Sequence, residues 1–247
     1  KTAYEMLRSL VGSEMCIRDR LSGKLIRSIL FDLDGTFVDT AQDLIETANI
    51  VYANNYKSNI SYEVGREIAS DGVKAFLRLR FNEDRDNFDL LSEEFLTIYN
   101  KQFLNNPLLF DGIENLLLAL EGNGVNWGIV TNKPRYFSEN ILKYHHLTER
   151  CSVLMCGDDD GFKSKPSPEL LIEACRLLDE NISDVIYVGD GHRDILSANS
   201  AKIKSVLACY GYLKKSDLIE DWHFDYIIHS PSEIIDLDGL TFNNSLS

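Results

Sequence analysis

Long apolar runs, clustered cysteines and basic residues are all scarce in this sequence. No apolar run approaches about 18 residues, the length that a membrane-spanning helix needs, so the sequence predicts no membrane association. Lysine and arginine number 25 against 39 aspartates and glutamates, which gives a net charge of −14. A chain this acidic lacks the basic stripe that nucleic acid and anionic membranes require, so neither is an expected partner. Small anionic substrates are compatible with this charge where a metal ion and a lysine reverse the local field.

The cysteines exclude a second class of site. The sequence holds five. Those beyond residue 20 form no Cys-x-x-Cys motif and have no histidine at metal-ligand spacing, so they do not indicate a zinc or redox motif. We expect them to be reduced core thiols of a cytoplasmic protein. They are Cys151, Cys156, Cys175 and Cys209.

The first twenty residues stand apart from the rest. The stretch Leu10–Arg20 resembles the conceptual translation of a transposase sequencing adapter. It has neither the apolar centre nor the small-residue cleavage site of a targeting signal. The alternative is a genuine N-terminal helix, because four apolar residues between positions 4 and 11 have helical spacing. We expect residues 1–20 to be an assembly artefact and the authentic start to lie near Lys24.

Apolar strand candidates recur along the remaining chain, with helical patterns between them. Alternating strands and helices with short connections build a parallel sheet that helices cover on both faces. The sequence therefore predicts an α/β fold with a Rossmann-like core formed by residues 25–40 and 110–240. The predicted strands are Ile26–Phe31, Asn126–Thr131, Ser152–Cys156, Val185–Val188, Ser205–Ala208 and Tyr226–Ile228. The predicted core helices are Asp111–Glu121, Pro134–His145, Pro168–Leu178, Arg193–Ser200 and Pro231–Leu237.

One long gap between strands interrupts this alternation. Residues 41–109 contain no convincing strand, but they contain helical runs at Leu44–Tyr56, Gly72–Leu79 and Ser92–Phe103. We expect an inserted α-helical cap, hinged near Asp39–Asp43 and Pro107–Gly112. A cap of this kind can close over a site and exclude water.

Two aspartates form the strongest chemical signal in the chain. Asp32 and Asp34 follow the apolar run Ile29–Phe31 and lead into a tight turn at Gly35-Thr36. They lie beyond the carboxyl end of a predicted strand, where open α/β sheets bind ligands. Two such acids repel each other unless a cation or a shared proton relieves the repulsion. The alternative interpretation is an exposed, solvated acidic loop.

Three further stretches place polar or charged side chains after later strands. Thr131 and Asn132 end a β-branched strand and offer a hydroxyl and an amide. Lys165 lies on a loop that enters a helix, and Asp190 and Asp194 follow another short apolar strand. Each stretch alone has an ordinary explanation, such as a solvated loop lysine or an aspartate that caps a helix. Their occurrence in this order, each after a predicted strand, indicates a single site.

This set of side chains suits phosphoryl transfer. A phosphoryl group in transfer needs charge neutralisation around its three equatorial oxygens and an in-line nucleophile. The lysine supplies a positive charge, while the threonine and asparagine can donate hydrogen bonds. The aspartates offer hard oxygen ligands, which suit Mg²⁺ better than a soft metal.

These motifs resemble those of the haloacid dehalogenase-like hydrolase superfamily, over nearly all of Ile26–Leu237. The resemblance implies that Asp32 is a nucleophile that forms an aspartyl-phosphate. It implies that Asp34 protonates the leaving alcohol and then activates water for the second step. Asp34 also argues against dehalogenation, because the dehalogenases of the superfamily lack that second acid.

The resemblance also implies where phosphate and metal bind. Lys165 is expected to hold the phosphate together with Thr131 and Asn132. The expected cofactor is Mg²⁺. Its implied binding set is Asp32, Asp34 through the backbone carbonyl, Asp190, and Asp194 as the residue that orients the metal shell.

Within the superfamily, the segments 32–43, 130–134 and 210–212 resemble the phosphoglycolate phosphatase subgroup. Trp127, Arg193 and Trp222 lie in segments that resemble the N-acetylmuramic acid 6-phosphate phosphatases of cell-wall recycling. We expect a monomer or homodimer that hydrolyses a small phosphorylated metabolite, 2-phosphoglycolate first and N-acetylmuramic acid 6-phosphate as the alternative. A phosphosugar mutase and a non-catalytic relative are further alternatives.

Substrate choice is expected to lie with the cap. The loop Ser70-Asp71-Gly72 precedes a helix that carries Lys74, Arg78 and Arg80. The loop could reach the leaving group, and a cation could meet a substrate carboxylate through a charge-assisted contact. The alternative is that these basic residues form an ordinary solvated helix face.

Overall fold

A computed structural model of the protein describes residues 24–237 and 240–241. Its core is a six-stranded, all-parallel sheet. The artefact predicted at residues 1–20 lies outside the described residues. A short strand, β1 Lys24–Leu25, lies outside this sheet and pairs with Leu240–Thr241. The strands of the sheet are β2 Ser28–Phe31, β5 Asn126–Val130, β6 Leu154–Met155, β7 Val185–Gly189, β8 Lys204–Ala208 and β9 Tyr226–Ile228. Their order across the sheet is β6-β5-β2-β7-β8-β9. All six predicted strands are present, which confirms the α/β, Rossmann-like prediction.

The chain order of these strands determines where a ligand can bind. After β2 the chain builds β5 and β6 on one side of it, and then crosses to build β7, β8 and β9 on the other. Connections therefore diverge at the carboxyl ends of β2, β5 and β7, and open α/β sheets bind ligands at such a point. Every residue of β2 and β7 is buried, as expected for central strands with helices on both faces.

The helices of the core fall close to their predicted positions. Each of four predicted α-helices is present, with ends that differ by one or two residues, while Pro231–Asp236 is a 3₁₀ helix. No helix among residues 24–237 is long and apolar enough to cross a membrane. Four helices of an insertion, α1–α4, come earlier in the chain. The core helices that follow them are α5 Ile113–Gly122, α6 Arg135–Tyr144, α7 Glu169–Leu177 and α8 His192–Ala201.

A helical insertion, residues 41–107, lies between two short strands, β3 (Val38–Asp39) and β4 (Leu108–Leu109), which pair antiparallel. The sequence pattern does not predict β4, because a two-residue strand is too short to show alternation. Aromatic side chains fill the interior of the insertion, where the Tyr52 hydroxyl donates to the Phe76 carbonyl. Its helices are α1 Ala41–Asn54, α2 Tyr62–Arg66, α3 Val73–Arg78 and α4 Phe88–Gln102, with a 3₁₀ turn at Ala69–Asp71.

Candidate active site

The structure brings the predicted charged residues to one place at the carboxyl edge of the sheet. Asp32 follows β2, Asp190 follows β7, and Asp194 lies in the first turn of α8. Lys165 enters from the loop before α7, and its Nζ lies 2.8 Å from Asp32 Oδ1 and 2.7 Å from Asp194 Oδ1. All four side chains are buried. The clustering that the sequence analysis predicted for these residues is therefore present.

Lys165 is held by more than its two ion pairs. Its ammonium also donates to the Val130 carbonyl at 3.1 Å and to the Tyr187 hydroxyl at 2.8 Å. Burial alone would lower the pKa of Lys165, but Asp194 and Asp32 outweigh that effect and raise it. The lysine is therefore a fixed positive charge beside the Asp32 carboxylate.

Three of the buried acids form a compact oxygen cluster. Asp32, Asp190 and Asp194 each place one carboxylate oxygen within 4.8 Å of the others. Burial, followed by the charges of Asp194 and Asp32, raises the pKa of Asp190 to about 8. Burial also raises the pKa of Asp32 to about 6, against the opposing effect of Lys165. Hard, mutually repelling oxygens of this kind fit a divalent cation such as Mg²⁺, which would favour their ionised forms.

The Asp34 carboxylate points away from this cluster. It accepts from Lys133 Nζ at 3.1 and 3.2 Å, and the Thr40 hydroxyl donates to it. Its backbone carbonyl instead lies 3.4 Å from the Ser70 hydroxyl, which also contacts Asp190 at 3.1 Å. Asp34 therefore presents its carbonyl on the Asp190 side and its carboxylate on the Lys133 side.

The two residues predicted to bind phosphate alongside Lys165 have different environments. Thr131 is buried at the end of β5 and accepts the Lys133 backbone N–H at 3.2 Å, which leaves the hydroxyl hydrogen to donate. The Asn132 amide donates to the Lys165 carbonyl at 2.9 Å and accepts the Lys165 N–H at 2.8 Å. Asn132 therefore fixes the loop that carries Lys165, a task that the sequence analysis did not assign to it.

The predicted substrate loop of the insertion reaches the core. Besides the Ser70 contact to Asp190, Asp71 forms ion pairs with Arg193 at 2.5 Å and with Lys214 at 2.6 Å. Gly72 follows with a φ of +80°, a left-handed backbone that glycine adopts at little cost.

The basic residues after this loop do not face the site. Arg78 pairs with Glu83 on the surface, and Arg80 donates to the backbone carbonyls of Ser58 and Asn59. Lys74 lines a separate open groove between the insertion and α6. None of the three lines the cavity beside Asp32, so the alternative of an ordinary helix surface agrees better with their contacts.

A cavity of about 270 Å³ lies between Asp32 and the insertion. Its floor is polar and belongs to the core, whereas much of its upper wall is apolar and comes from the insertion. The core contributes Asp32, Asp34, Thr131, Asn132, Lys133, Phe137, Lys165 and Arg193, and the insertion contributes Leu44, Ser70, Gly72, Val73, Phe95, Leu96 and Tyr99 among others.

Four residues of the site were missed as functional candidates. Lys133 directly follows Thr131-Asn132, and this position at a strand end was an available signal. Tyr187 and Tyr212 contact the acids Asp194 and Asp190, through a hydroxyl and a backbone N–H respectively. Tyr99, from α4, reaches Lys133 at 2.8 Å across 34 residues of sequence. For Tyr99 no local pattern could have given the contact.

Comparison with known proteins agrees with this geometry. The family model described as haloacid dehalogenase-like hydrolase matches residues 29–208. An N-acetylmuramic acid 6-phosphate phosphatase of Pseudomonas putida is 36% identical over 211 residues, covering 85% of this chain and 94% of the relative. A phosphoglycolate phosphatase of Xanthomonas campestris is also 36% identical, over 209 residues, covering 84% of this chain and 94% of the relative.

A solved structure gives the same result for the fold. The crystal structure of a predicted phosphoglycolate phosphatase from Haemophilus somnus superposes with a TM-score of 0.75 at 23% identity. The match covers 85% of this chain and 97% of that one. Together with the family match, which spans most of the sheet and the acid cluster, these findings identify the chain as a member of the haloacid dehalogenase-like hydrolase family.

Proposed function

We propose that this protein is a Mg²⁺-dependent phosphomonoester hydrolase that works through an aspartyl-phosphate on Asp32. The observation that carries the proposal is the pairing of a buried carboxylate with a buried lysine, 2.8 Å apart, on the floor of a cavity. Both the Leu33 N–H and Lys165 contact Oδ1 of Asp32, so Oδ2 is the oxygen left for attack. A family of hydrolases that includes relatives named as phosphatases supports this chemistry.

The proposed route has two steps that use Asp32 and Asp34 in turn. In the first step Asp32 forms a bond to phosphorus while the bond to the leaving oxygen breaks, and Asp34 gives that oxygen a proton. In the second step water attacks phosphorus, Asp34 takes its proton, and the bond to Asp32 breaks to release phosphate. The enzyme returns to its starting state, so the net reaction is hydrolysis.

Lys165, Thr131 and the metal would offset the negative charge of the phosphoryl oxygens. Lys165 stays protonated because its acidic neighbours raise its pKa, and it would bind the phosphoryl oxygens together with the Thr131 hydroxyl. Asp32, the Asp34 carbonyl and Asp190 would hold Mg²⁺, with Asp194 orienting the set. The bound cation would supply positive charge that lets a carboxylate approach an anionic phosphate.

The helical insertion is proposed to act as a cap over this site. Residues 41–109 would move against a core of residues 25–40 and 110–240, with the β3–β4 pair as the hinge. The contact of Ser70 with Asp190 supports a closed arrangement that excludes water. We further propose a cytoplasmic monomer or homodimer, consistent with the unpaired cysteines among the described residues.

Two substrates are supported by different observations. 2-Phosphoglycolate fits the Arg193 guanidinium, which lines the cavity and could meet a carboxylate. N-Acetylmuramic acid 6-phosphate suits the apolar wall of Val73, Phe95 and Leu96, because sugar rings pack their C–H faces on such surfaces. Relatives of both names share 36% identity with this chain.

The Asp32→Asn variant tests the proposed nucleophile. Because an amide cannot form the acyl-phosphate, we expect phosphate release with Mg²⁺ to fall by at least roughly 10³-fold. Circular dichroism should show an unchanged fold, since the substitution preserves side-chain volume. The matched control is Asp160→Asn, an exposed aspartate in the loop after β6, which should keep wild-type rates.

A phosphate-release screen separates the two substrates. Wild-type protein would be assayed with 2-phosphoglycolate and with N-acetylmuramic acid 6-phosphate, each with Mg²⁺ and with a chelator. Release that stops with the chelator supports the proposed metal dependence. No release from either ester, or substantial activity of Asp32→Asn, would reject the proposal, and an isomerised phosphosugar in place of free phosphate would indicate a mutase.

A further inference from the structure

Lys133 is a buried lysine that the two-step route above does not use. Its side chain is only 5% exposed, and its Nζ lies within hydrogen-bond distance of both Asp34 oxygens, at 3.1 and 3.2 Å. Lys165, the proposed phosphate ligand, instead contacts Asp32 and Asp194. The two lysines of the cavity therefore serve different aspartates.

The third contact of the Lys133 ammonium crosses to the helical insertion. Lys133 Nζ donates to the Tyr99 hydroxyl at 2.8 Å and lies 4.9 Å from the centre of the Tyr99 ring. Tyr99 is buried, and its ring packs against Phe137 of α6 at a centroid distance of 5.0 Å. An ammonium held by a carboxylate, a hydroxyl and an aromatic face has little freedom to move.

Contacts from two directions hold the Asp34 carboxylate in place. The Thr40 hydroxyl, next to β3 at the start of the insertion, donates to Oδ1, and Lys133 spans both oxygens from the end of β5. Without Lys133, the Thr40 contact alone would leave the carboxylate free to turn about its side-chain bonds. A shift of about 1 Å in a reacting group can cost roughly 10²-fold in rate.

We propose that Lys133 is a positioning residue that aims the Asp34 carboxylate at the leaving-group oxygen, and that Tyr99 makes this arrangement depend on the seating of the insertion. This inference rests on the proposed phosphatase function. Lys133 then acts on proton transfer to the leaving group and leaves the attack of Asp32 on phosphorus unaffected. The Tyr99 contact completes the acid/base arrangement when the insertion covers the site.

The test compares two substrates that differ in their need for a proton. The p-nitrophenolate leaving group departs without protonation, whereas the more basic phenolate of phenyl phosphate needs it. In rapid-mixing experiments, Lys133→Met should cleave phenyl phosphate about 10²-fold more slowly than wild type. The burst of p-nitrophenol from p-nitrophenyl phosphate should stay within about threefold, followed by slow turnover because water activation also needs Asp34.

Tyr99→Phe keeps the ring and removes the hydroxyl. It should slow phenyl phosphate cleavage by about 5- to 10-fold, the effect of one lost hydrogen bond, with the same sparing of the p-nitrophenol burst. Lys143→Met, an exposed lysine near the end of α6, and Tyr56→Phe, an exposed tyrosine after α1, are the matched controls and should behave as wild type.

Each other outcome overturns the inference. If Lys133→Met slows both substrates equally or raises KM for both, Lys133 binds phosphate or merely supports the fold. If it slows neither, the contact with Asp34 has no role. If the wild-type protein cleaves neither aryl phosphate, the proposed phosphatase function is rejected too. The wild-type measurement therefore distinguishes a failure of that function from a failure of the inference about Lys133.

Discussion

At the residue scale, the site depends on backbone that leaves no room for a side chain. Gly35 has a φ of +82°, and a Cβ built there would lie 2.2 Å from Asp190 Oδ2 and 2.8 Å from the Tyr212 ring. The Asp32–Asp34 turn can therefore approach Asp190 only because position 35 is glycine. This close approach lets the turn after β2 pack directly against the Asp190 carboxylate.

Gly35→Ala should damage both stability and activity. The methyl group adds left-handed strain to a clash with Asp190, and together these should cost about 3 kcal/mol of unfolding free energy. Because the clash displaces a proposed metal ligand, phosphate release should fall by about 10-fold or more. Urea denaturation and a phosphate assay measure the two effects.

Gly161→Ala separates the strain from the clash. Gly161 has a similar φ of +85°, but a Cβ there meets no atom within 4 Å. The Gly161→Ala variant should lose only about 1 kcal/mol of unfolding free energy, which is the cost of the backbone strain alone, and should keep wild-type activity. Equal losses at positions 35 and 161 would show that the contact with Asp190 is unimportant.

At the element scale, the insertion is joined to the core by more than the β3–β4 pair. The 3₁₀ turn Ala69–Asp71 carries the Asp71 carboxylate, which pairs with Arg193 in α8 and with Lys214 after β8. Arg66, at the end of α2, donates to the Tyr210 carbonyl at 3.0 Å. These contacts hold the insertion over the cavity at points distant from β3 and β4.

Asp71→Asn should weaken this closed arrangement. The three charged side chains are roughly one-third exposed, so each pair contributes little to overall stability. We expect an unchanged melting temperature and a fall in kcat/KM of about 3- to 10-fold, because closure becomes less favourable. Raising the salt concentration should lower kcat/KM of the wild type more than that of the variant. Salt screens the ion pairs of Asp71, which only the wild type has.

Glu83→Gln is the control for this prediction. It removes the surface partner of Arg78, an ion pair inside the insertion that makes no contact with the cavity. Its kcat/KM and salt dependence should match the wild type. A salt response of Asp71→Asn identical to that of the wild type would contradict the role of Asp71 in closure.

At the scale of the whole molecule, an acidic protein places three cationic side chains, each paired with an aspartate, where its proposed substrate binds. The chain carries a net charge of −14, yet its cavity is lined by Lys133, Lys165 and Arg193. The same site buries carboxylates that repel one another, and this repulsion opposes folding unless a cation or a proton offsets it. Metal, pH and stability are therefore coupled.

Without metal, the protein should lose stability as pH rises. The pKa of Asp190 is raised from 3.8 to about 8 on folding, so between these values the folded state binds a proton that the unfolded chain has released. This contribution to stability is fully present below pH 3.8 and is lost as pH rises through about 8. In EDTA, the melting temperature should fall by roughly 5 to 10 °C between pH 5.5 and 8.5.

Mg²⁺ should reverse this loss, because a cation that binds the ionised cluster stabilises only the folded state. Scanning calorimetry with EDTA and with MgCl₂ across this pH range measures the effect. Asp190→Asn should show a weaker pH dependence in EDTA. A melting temperature that is independent of pH in EDTA would contradict a raised pKa of the buried Asp190 carboxyl.

The features that could be predicted from the sequence all depend on a pattern within a short stretch of the chain. Buried parallel strands need continuous apolar runs, so all six strands of the main sheet could be located. Asp32, Thr131 and Asp190 each follow such a run directly, and parallel strands bring their carboxyl ends to one edge. Their convergence could be deduced without coordinates.

Other contacts have no local signal. Tyr99 and Lys133 are 34 residues apart and Asp71 and Arg193 are 122 apart, and neither pair follows from periodicity or from position at a strand end. Asn132 was expected to face phosphate because of its place in a motif, but its amide pairs with the Lys165 backbone. Arg78 and Arg80 were expected near substrate because they follow a loop, and the packing of the insertion turns them outward.

The sequence by itself determined the strands of the sheet, the edge at which chemistry can occur and the aspartates and lysine that meet there, because the position and burial of each strand depend on short-range apolar patterning. Only the tertiary structure decided which of those side chains face one another: Lys133 with Asp34, Asn132 with the Lys165 loop, and Asp71 with Arg193. The reason is that side-chain pairing depends on how the insertion packs on the core. That packing is set by many weak apolar contacts between segments distant in sequence, and no single stretch of the chain encodes it.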